Sequence, residues 1–146
     1  MSKLLIVDDD IRLRKLVRTY GEVEHYECDE AADGLAALEK LQNDHFDLVI
    51  LDVMMPGLDG FETLERIRKT SEIPVIMLTA RNEEYDKLTG FGLGVDDYVS
   101  KPFSPKELMA RVGAVLKRNG KKSTVLSYQY KELEIRPDSR TASISG

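Results

Sequence analysis

Three short apolar runs constrain the fold of this chain most: Leu4 to Val7, Leu48 to Leu51 and Val75 to Leu78. Each is apolar at successive positions, so both faces need cover, and each ends at turn-forming residues. That is the pattern of strands buried in a parallel sheet with helices on both sides. Tyr26 to Glu30 and Asp97 to Ser100 are weaker strand candidates. Between them lie stretches of helical period: Leu13, Leu16, Val17 and Tyr20; Leu35, Leu38 and Leu41; Phe61, Leu64 and Ile67; Leu108, Val112, Val115 and Leu116. A fourth helix over residues 82–92 has Gly90 and Gly92 against it, each costing about 1 kcal/mol relative to alanine. Strands alternating with helices through short loops predict an α/β fold, a five-stranded parallel doubly wound sheet with right-handed crossovers.

Cap signals agree. Asp10, Asp33 and Asp59 each precede a periodic run, and Ser104-Pro105-Lys106-Glu107 joins a capping box to a proline at the first helical position. The first domain spans residues 1–118, residues 119–124 form a linker of Gly, Lys and Ser character, and residues 125–146 alternate like β structure around the turn Arg136-Pro137-Asp138-Ser139-Arg140. So short a tail cannot bury a core, and a lone hairpin is marginal in water. It is expected to be the truncated start of a second domain.

A net charge of −5 disfavours nonspecific nucleic-acid binding by this chain. Apolar runs no longer than about four residues exclude a spanning helix, which needs about 20. With Cys28 as the single cysteine there is no disulfide framework, and the chain enters its first strand without a signal peptide, so a cytoplasmic location is expected. Cys28 reads as a small buried residue and His25 and His45 as surface residues.

In an open parallel sheet ligands gather at the carboxyl ends of the strands, where the strand order reverses. The first strand here ends in Asp8-Asp9-Asp10, the third in Asp52, the fourth in Thr79, and the fifth is followed by Lys101. Each aspartate alone is equally well explained as a helix cap, and Asp10 is read as one. The set together points to chemistry: crowded carboxylates repel one another and demand a cation, and an oxygen-only donor set suits Mg²⁺.

The residues Leu5-Ile6-Val7-Asp8-Asp9-Asp10, Leu51-Asp52-Val53-Met54-Met55-Pro56-Gly57-Leu58-Asp59-Gly60, Leu78-Thr79-Ala80 and Lys101-Pro102-Phe103 resemble the motifs of a bacterial two-component response regulator, in its flavodoxin- and CheY-like receiver domain. The resemblance covers residues 3–118. It implies that Asp52 is the phosphoacceptor, that Asp8 and Asp9 hold Mg²⁺ together with Asp52 and the Met54 backbone carbonyl, and that Thr79 and Lys101 receive the phosphoryl oxygens. It further implies a switch in which Thr79 moves inward and Tyr98 turns into the vacated space, against the alternative that Tyr98 is ordinary strand packing. Receivers share a cis bond at the position of Lys101-Pro102, which sequence alone does not show.

Residues 85–118 carry a second pattern. Leu88, Phe91 and Met109 are apolar, while Lys87, Asp96, Asp97, Glu107, Arg111 and Arg118 are charged. These positions resemble the dimer face of the winged-helix (OmpR/PhoB-like) transcription-factor class, built from the fourth helix, fifth strand and fifth helix, with Lys87 facing Glu107, Asp97 facing Arg111 and Asp96 facing Arg118 across a two-fold axis. A solvated charged face is the plainer alternative. Glu107 is claimed by both the capping box and the dimer face. The tail from Leu133 to Gly146 resembles the opening strands of the winged-helix domain in the same class. The resemblance therefore implies a sensor histidine kinase as phosphodonor, a homodimer when phosphorylated, and promoter DNA as a partner of the full-length protein only. It implies no enzyme beyond self-catalysed phosphoryl transfer and autodephosphorylation. One rival is a Mg²⁺-dependent aspartyl-phosphate phosphatase of the haloacid dehalogenase type, which wants a second acid where Met54 stands. Another is a stand-alone interaction module that only binds Mg²⁺.

Overall fold

The computed structural model describes residues 1–79 and 94–128, the last ten of these through their backbone alone. Its strands are β1 (Lys3–Val7), β2 (Glu27–Ala31), β3 (Leu48–Asp52), β4 (Val75–Thr79) and β5 (Asp97–Ser100). They form one sheet in the order β2-β1-β3-β4-β5, with every neighbouring pair parallel. The doubly wound sheet expected from the apolar runs is present, and β3 and β4 are buried at every position. The strand order runs one way from β1 to β2 and the other way from β3 to β5, so the switch falls between β1 and β3, and the ends of these two strands flank the crevice where such sheets bind ligands.

The described helices are α1 (Ile11–Val23), α2 (Gly34–Asn43), α3 (Gly60–Arg68) and α4 (Pro105–Tyr128), the last being the fifth helix of the sequence reading. The fourth expected helix, residues 82–92, lies outside the described residues. Asp10, Asp33 and Asp59 cap α1, α2 and α3, and Asp59 with Glu62 completes a reciprocal capping box. At α4 the Glu107 N–H donates to Ser104 Oγ at 3.3 Å, while the Glu107 carboxylate accepts from Arg111.

Two helices present faces that differ from the periodic reading. In α1 the buried positions are Val17 and Gly21, and Leu16 is exposed. In α2 they are Gly34 and Ala37, and Leu35 is exposed. Close approach is the reason: a Cβ on Gly34 would stand 2.2 Å from Thr63 Oγ1 of α3, which leaves no room for a large side chain. A comparable constraint holds at Gly60, whose added Cβ would lie 2.4 Å from the Asp52 carbonyl oxygen and 2.7 Å from Val53 Cα.

Met1–Val115 forms one compact unit and Leu116–Gly146 a second. The linker expected at residues 119–124 and the β pattern expected from residue 125 are not what the backbone shows, since α4 continues as helix to Tyr128. One glycine weighs about 1 kcal/mol against a helix that is already nucleated, too little to stop it. The rest of the expected winged-helix start, residues 129–146, lies outside the described residues. Among the described residues no helix is long and apolar enough to cross a membrane.

Candidate phosphoacceptor site

The ends of β1, β3, β4 and β5 bring Asp8, Asp9, Asp52, Thr79 and Lys101 to one end of the sheet. Asp8, Asp52 and Thr79 are almost wholly buried, at 1%, 3% and 1% exposure, while Asp9 is exposed. One carboxylate oxygen from each of Asp8, Asp9 and Asp52 lies within 4.8 Å of the others. Lys101 extends its ammonium between two of them, with Nζ 3.1 Å from Asp52 Oδ1 and 3.6 Å from Asp8 Oδ2. The second distance is beyond hydrogen-bond reach.

The backbone holds this arrangement tightly. The Asp8 N–H donates to the Ala31 carbonyl at 3.2 Å and the Asp10 N–H donates to Asp8 Oδ1 at 3.0 Å. The Lys101 N–H donates to the Thr79 carbonyl at 2.7 Å, tying the two strand ends that supply the hydroxyl and the ammonium. The Lys101-Pro102 peptide bond is cis.

Charge is poorly balanced here. Burial pushes the Asp8 carboxyl up to about 6, and repulsion from Asp52 adds to this, while the Asp10 N–H and Lys101 work against it. Burial also raises Asp52, partly opposed by Lys101 and the Met54 N–H. Burial disfavours the Lys101 ammonium, yet the hydrogen bond and charge of Asp52, with the charge of Asp8, outweigh it and raise the group. Among the described residues two buried side-chain oxygens have no hydrogen-bond partner, Asp8 Oδ2 and Thr79 Oγ1. Orphaned buried polar atoms cost about 1 to 3 kcal/mol each. Here one suits a cation and the other a hydroxyl that can donate to an added oxygen.

Residues 4–113 match the response regulator receiver domain. The chain belongs to that family. This receiver is 52% identical over 127 residues to the transcriptional regulatory protein CpxR homolog of Haemophilus influenzae, covering 87% of this chain and 56% of that protein. It is 49% identical over 117 residues to the transcriptional regulatory protein ResD of Bacillus subtilis, covering 80% and 49% respectively. The chain thus spans about half the length of these curated relatives. Among solved structures, the receiver domain of the Francisella response regulator 1452 superposes with a TM-score of 0.77 at 37% identity, covering 82% of this chain and 99% of that one. Chemotaxis protein CheY4 of Vibrio cholerae gives 0.75 at 37% identity, covering 79% and 98%.

The remaining sequence-predicted residues divide. Tyr98 is buried among Leu51, Val53 and Met77 in the core cluster. Met54 is exposed. Of the expected dimer face, Lys87, Leu88 and Phe91 lie outside the described residues. Met109 is not a surface residue in this receiver: it is 6% exposed and packs toward Gly21, because it shares the buried face of α4 with Leu108 and Val112. Arg111 is engaged within the chain, with Nη1 2.9 Å from Asp97 Oδ2 and Nη2 3.2 Å from Glu107 Oε2. Asp96 Oδ2 accepts the Val75 N–H at 2.8 Å and lies 3.7 Å from Arg68 Nη2. Arg118 is exposed. Cys28 is buried, and burial pushes its thiol up to about 11, the state of an inert packing residue. His25 and His45 are exposed.

Sequence reading missed one group. Glu30 of β2 accepts from Arg14 Nε at 3.0 Å, Lys15 Nζ at 3.1 Å and Arg18 Nη1 at 2.9 Å, and the Arg14 Nη1 also donates to the Asp8 carbonyl at 2.6 Å. The only sequence hint is three bases within five positions of α1, which is ordinary for an exposed helix face.

Proposed function

We propose that Asp52 accepts a phosphoryl group from the phosphohistidine of a sensor kinase, and that the resulting aspartyl phosphate switches the output of a transcriptional regulator. The observation that supports this most is the nearly buried Asp52 carboxylate with Lys101 Nζ 3.1 Å away, beside the orphaned Asp8 Oδ2 and Thr79 Oγ1. An Asp52 oxygen attacks phosphorus, the bond from phosphorus to the histidine nitrogen breaks, and that nitrogen keeps the electron pair. Lys101 stays charged and balances the phosphoryl oxygens, since phosphoryl transfer needs positioning and electrostatic compensation more than covalent help. Asp8, Asp9, Asp52 and the Met54 carbonyl would hold Mg²⁺, which supplies the remaining neutralisation of charge. Thr79 then donates its hydroxyl to a phosphoryl oxygen, and Tyr98 responds as the second half of the switch. Later hydrolysis of the aspartyl phosphate resets it, so the chain acts on itself and not as an enzyme on other substrates.

In the full-length protein the phosphorylated state pairs through the region from Lys87 to Arg118 and acts on promoter DNA, as the transcriptional role named for its relatives suggests. This reading places it in the cytoplasm. The contacts of Arg111 with Asp97 and Glu107 add a condition: a pairing of Asp97 with Arg111 across a two-fold axis must replace or share bonds already made within the chain.

Acetyl phosphate with Mg²⁺ should add one phosphoryl mass, seen by intact mass spectrometry and lost in mild base. Asp52→Asn should abolish the addition. Lys101→Ala should slow it by roughly 100-fold, the usual cost of deleting a preorganised charge partner. Undiminished labelling of Asp52→Asn would move the nucleophile elsewhere.

A further inference from the structure

We propose that Arg14 is a positioning residue for the acidic pair, fixing the peptide between Asp8 and Asp9 by bonding the Asp8 carbonyl while Glu30 holds its guanidinium. The inference rests on the reading of Asp8 and Asp9 as cation ligands.

Every polar group of Asp8 except Oδ2 is hydrogen-bonded. Its N–H is held by the Ala31 carbonyl of β2 at 3.2 Å, its Oδ1 by the Asp10 N–H at 3.0 Å, and its carbonyl by Arg14 Nη1 at 2.6 Å. β1 ends at Val7, so the sheet ladder no longer dictates the orientation of the peptide after Asp8. Arg14 takes over that task from the first turns of α1. Rotation of this peptide would swing Asp9 away from Asp8 and Asp52, and the distance among the three carboxylates would open.

Arg14 in turn has little freedom. Its side chain is 12% exposed, and Nε donates to Glu30 Oε1 at 3.0 Å. Glu30, 11% exposed, is kept in place by Lys15 and Arg18 as well. A planar guanidinium can donate to two partners in fixed directions, which an ammonium on a flexible stem cannot do. The positive charge of Arg14 is already matched by Glu30, so its effect on the acidic pair is chiefly geometric. Groups that orient ligands from behind typically change metal affinity by about 10- to 100-fold when removed.

The test is a Mg²⁺ titration of the whole chain followed by amide NMR shifts, together with the Mg²⁺ dependence of acetyl phosphate labelling. Arg14→Met should raise the Mg²⁺ dissociation constant by about tenfold, and Arg14→Lys should also weaken binding, because charge alone does not orient the peptide. The labelling rate at saturating Mg²⁺ should stay close to that of the wild type, which separates positioning of the pair from damage to Asp52 or Lys101. Arg14→Met combined with Glu30→Gln removes both members of the buried pair and leaves Lys15 to solvent and Arg18 to Glu22, so it tests the same contact should the single variant fold poorly. Folded variants that bind Mg²⁺ within about twofold of the wild type would overturn the assignment of Arg14 and leave the metal reading standing. A wild-type chain that shows no Mg²⁺ binding would overturn both.

Discussion

Asp8 and Glu30 lie near the ends of neighbouring strands, both are carboxylates largely removed from water, and they ionise in opposite directions. Asp8 is pushed up to about 6, with burial as the main cause. Glu30 is disfavoured by burial too, yet hydrogen bonds from Arg18, Lys15 and Arg14 outweigh it and hold the group down at about 2. Desolvation acts on both, so depth alone does not explain the contrast. Counter-charge does. Glu30 has three basic partners, of which only Arg18 is shared with another carboxylate, Glu22, whereas Asp8 and Asp52 share Lys101 and repel each other. One cluster is complete and stabilises the fold. The other is short of positive charge and is costly until something cationic arrives.

The largest expected effect tests the costly side. Asp8→Asn should stabilise the metal-free protein near pH 7 by roughly 2 kcal/mol, about 8 °C in melting temperature, while weakening Mg²⁺ binding. The sign follows from linkage. Because the folded pKa of Asp8 is raised, the native state binds more protons than the unfolded state between about pH 4 and about pH 6, and stability falls as pH rises through that window. Melting curves in a chelator should show this decline in the wild type and a flatter profile in Asp8→Asn. Added Mg²⁺ should raise the wild-type melting temperature most at the upper end of the window, where the carboxylates are unprotonated. A destabilised Asp8→Asn variant at neutral pH would break the comparison.

Glu30→Gln tests the complete side and should go the other way, by about 1 to 2 kcal/mol of lost stability, because it leaves a half-buried guanidinium without its counter-ion. Here the folded pKa is depressed, so the stabilisation is present above about pH 4.5 and is lost as pH falls toward about 2. Chemical denaturation at neutral and acid pH should show the gap between wild type and Glu30→Gln closing on the acid side. The smallest effect should come from Lys15→Ala. Lys15 is 61% exposed and one of three donors, so its removal should cost less than about 0.5 kcal/mol. A larger loss would mean that the three bases are not interchangeable partners.

The candidate site was far more legible in the sequence than this neighbouring cluster. Asp8, Asp9, Asp52, Thr79 and Lys101 each sit where a recognisable strand stops, and the parallel order of the strands gathers such ends without further information. The apolar runs themselves were readable because a strand buried on both faces has no polar position to confuse the pattern. Arg14 and Glu30, by contrast, meet only because β1 pairs with β2 in a register that sets Ile6 against Glu30, and nothing local encodes that contact. Leu35 is exposed where the spacing predicts burial, for a related reason. Which face of a helix turns inward depends on how closely the neighbouring element approaches, and Gly34 and Ala37 are buried where a leucine stripe was expected. The capping aspartates were legible because a cap acts within a few residues of itself.

The close packing at Gly60 bears on the pocket from a direction that involves no charge. The segment after β3 returns so tightly that the first residue of α3 lies against the carbonyl of Asp52, and the Gly60 N–H also donates to the Val53 carbonyl at 2.9 Å. A single methyl group there would have to displace backbone, since both of its nearest contacts, the Asp52 carbonyl oxygen and Val53 Cα, are main-chain atoms. The seat of the Asp52 peptide is therefore limited by excluded volume at Gly60 as well as by the charges around its carboxylate. Every side chain of the site could be kept and the Asp52 carboxylate still be mis-seated by the addition of one carbon atom.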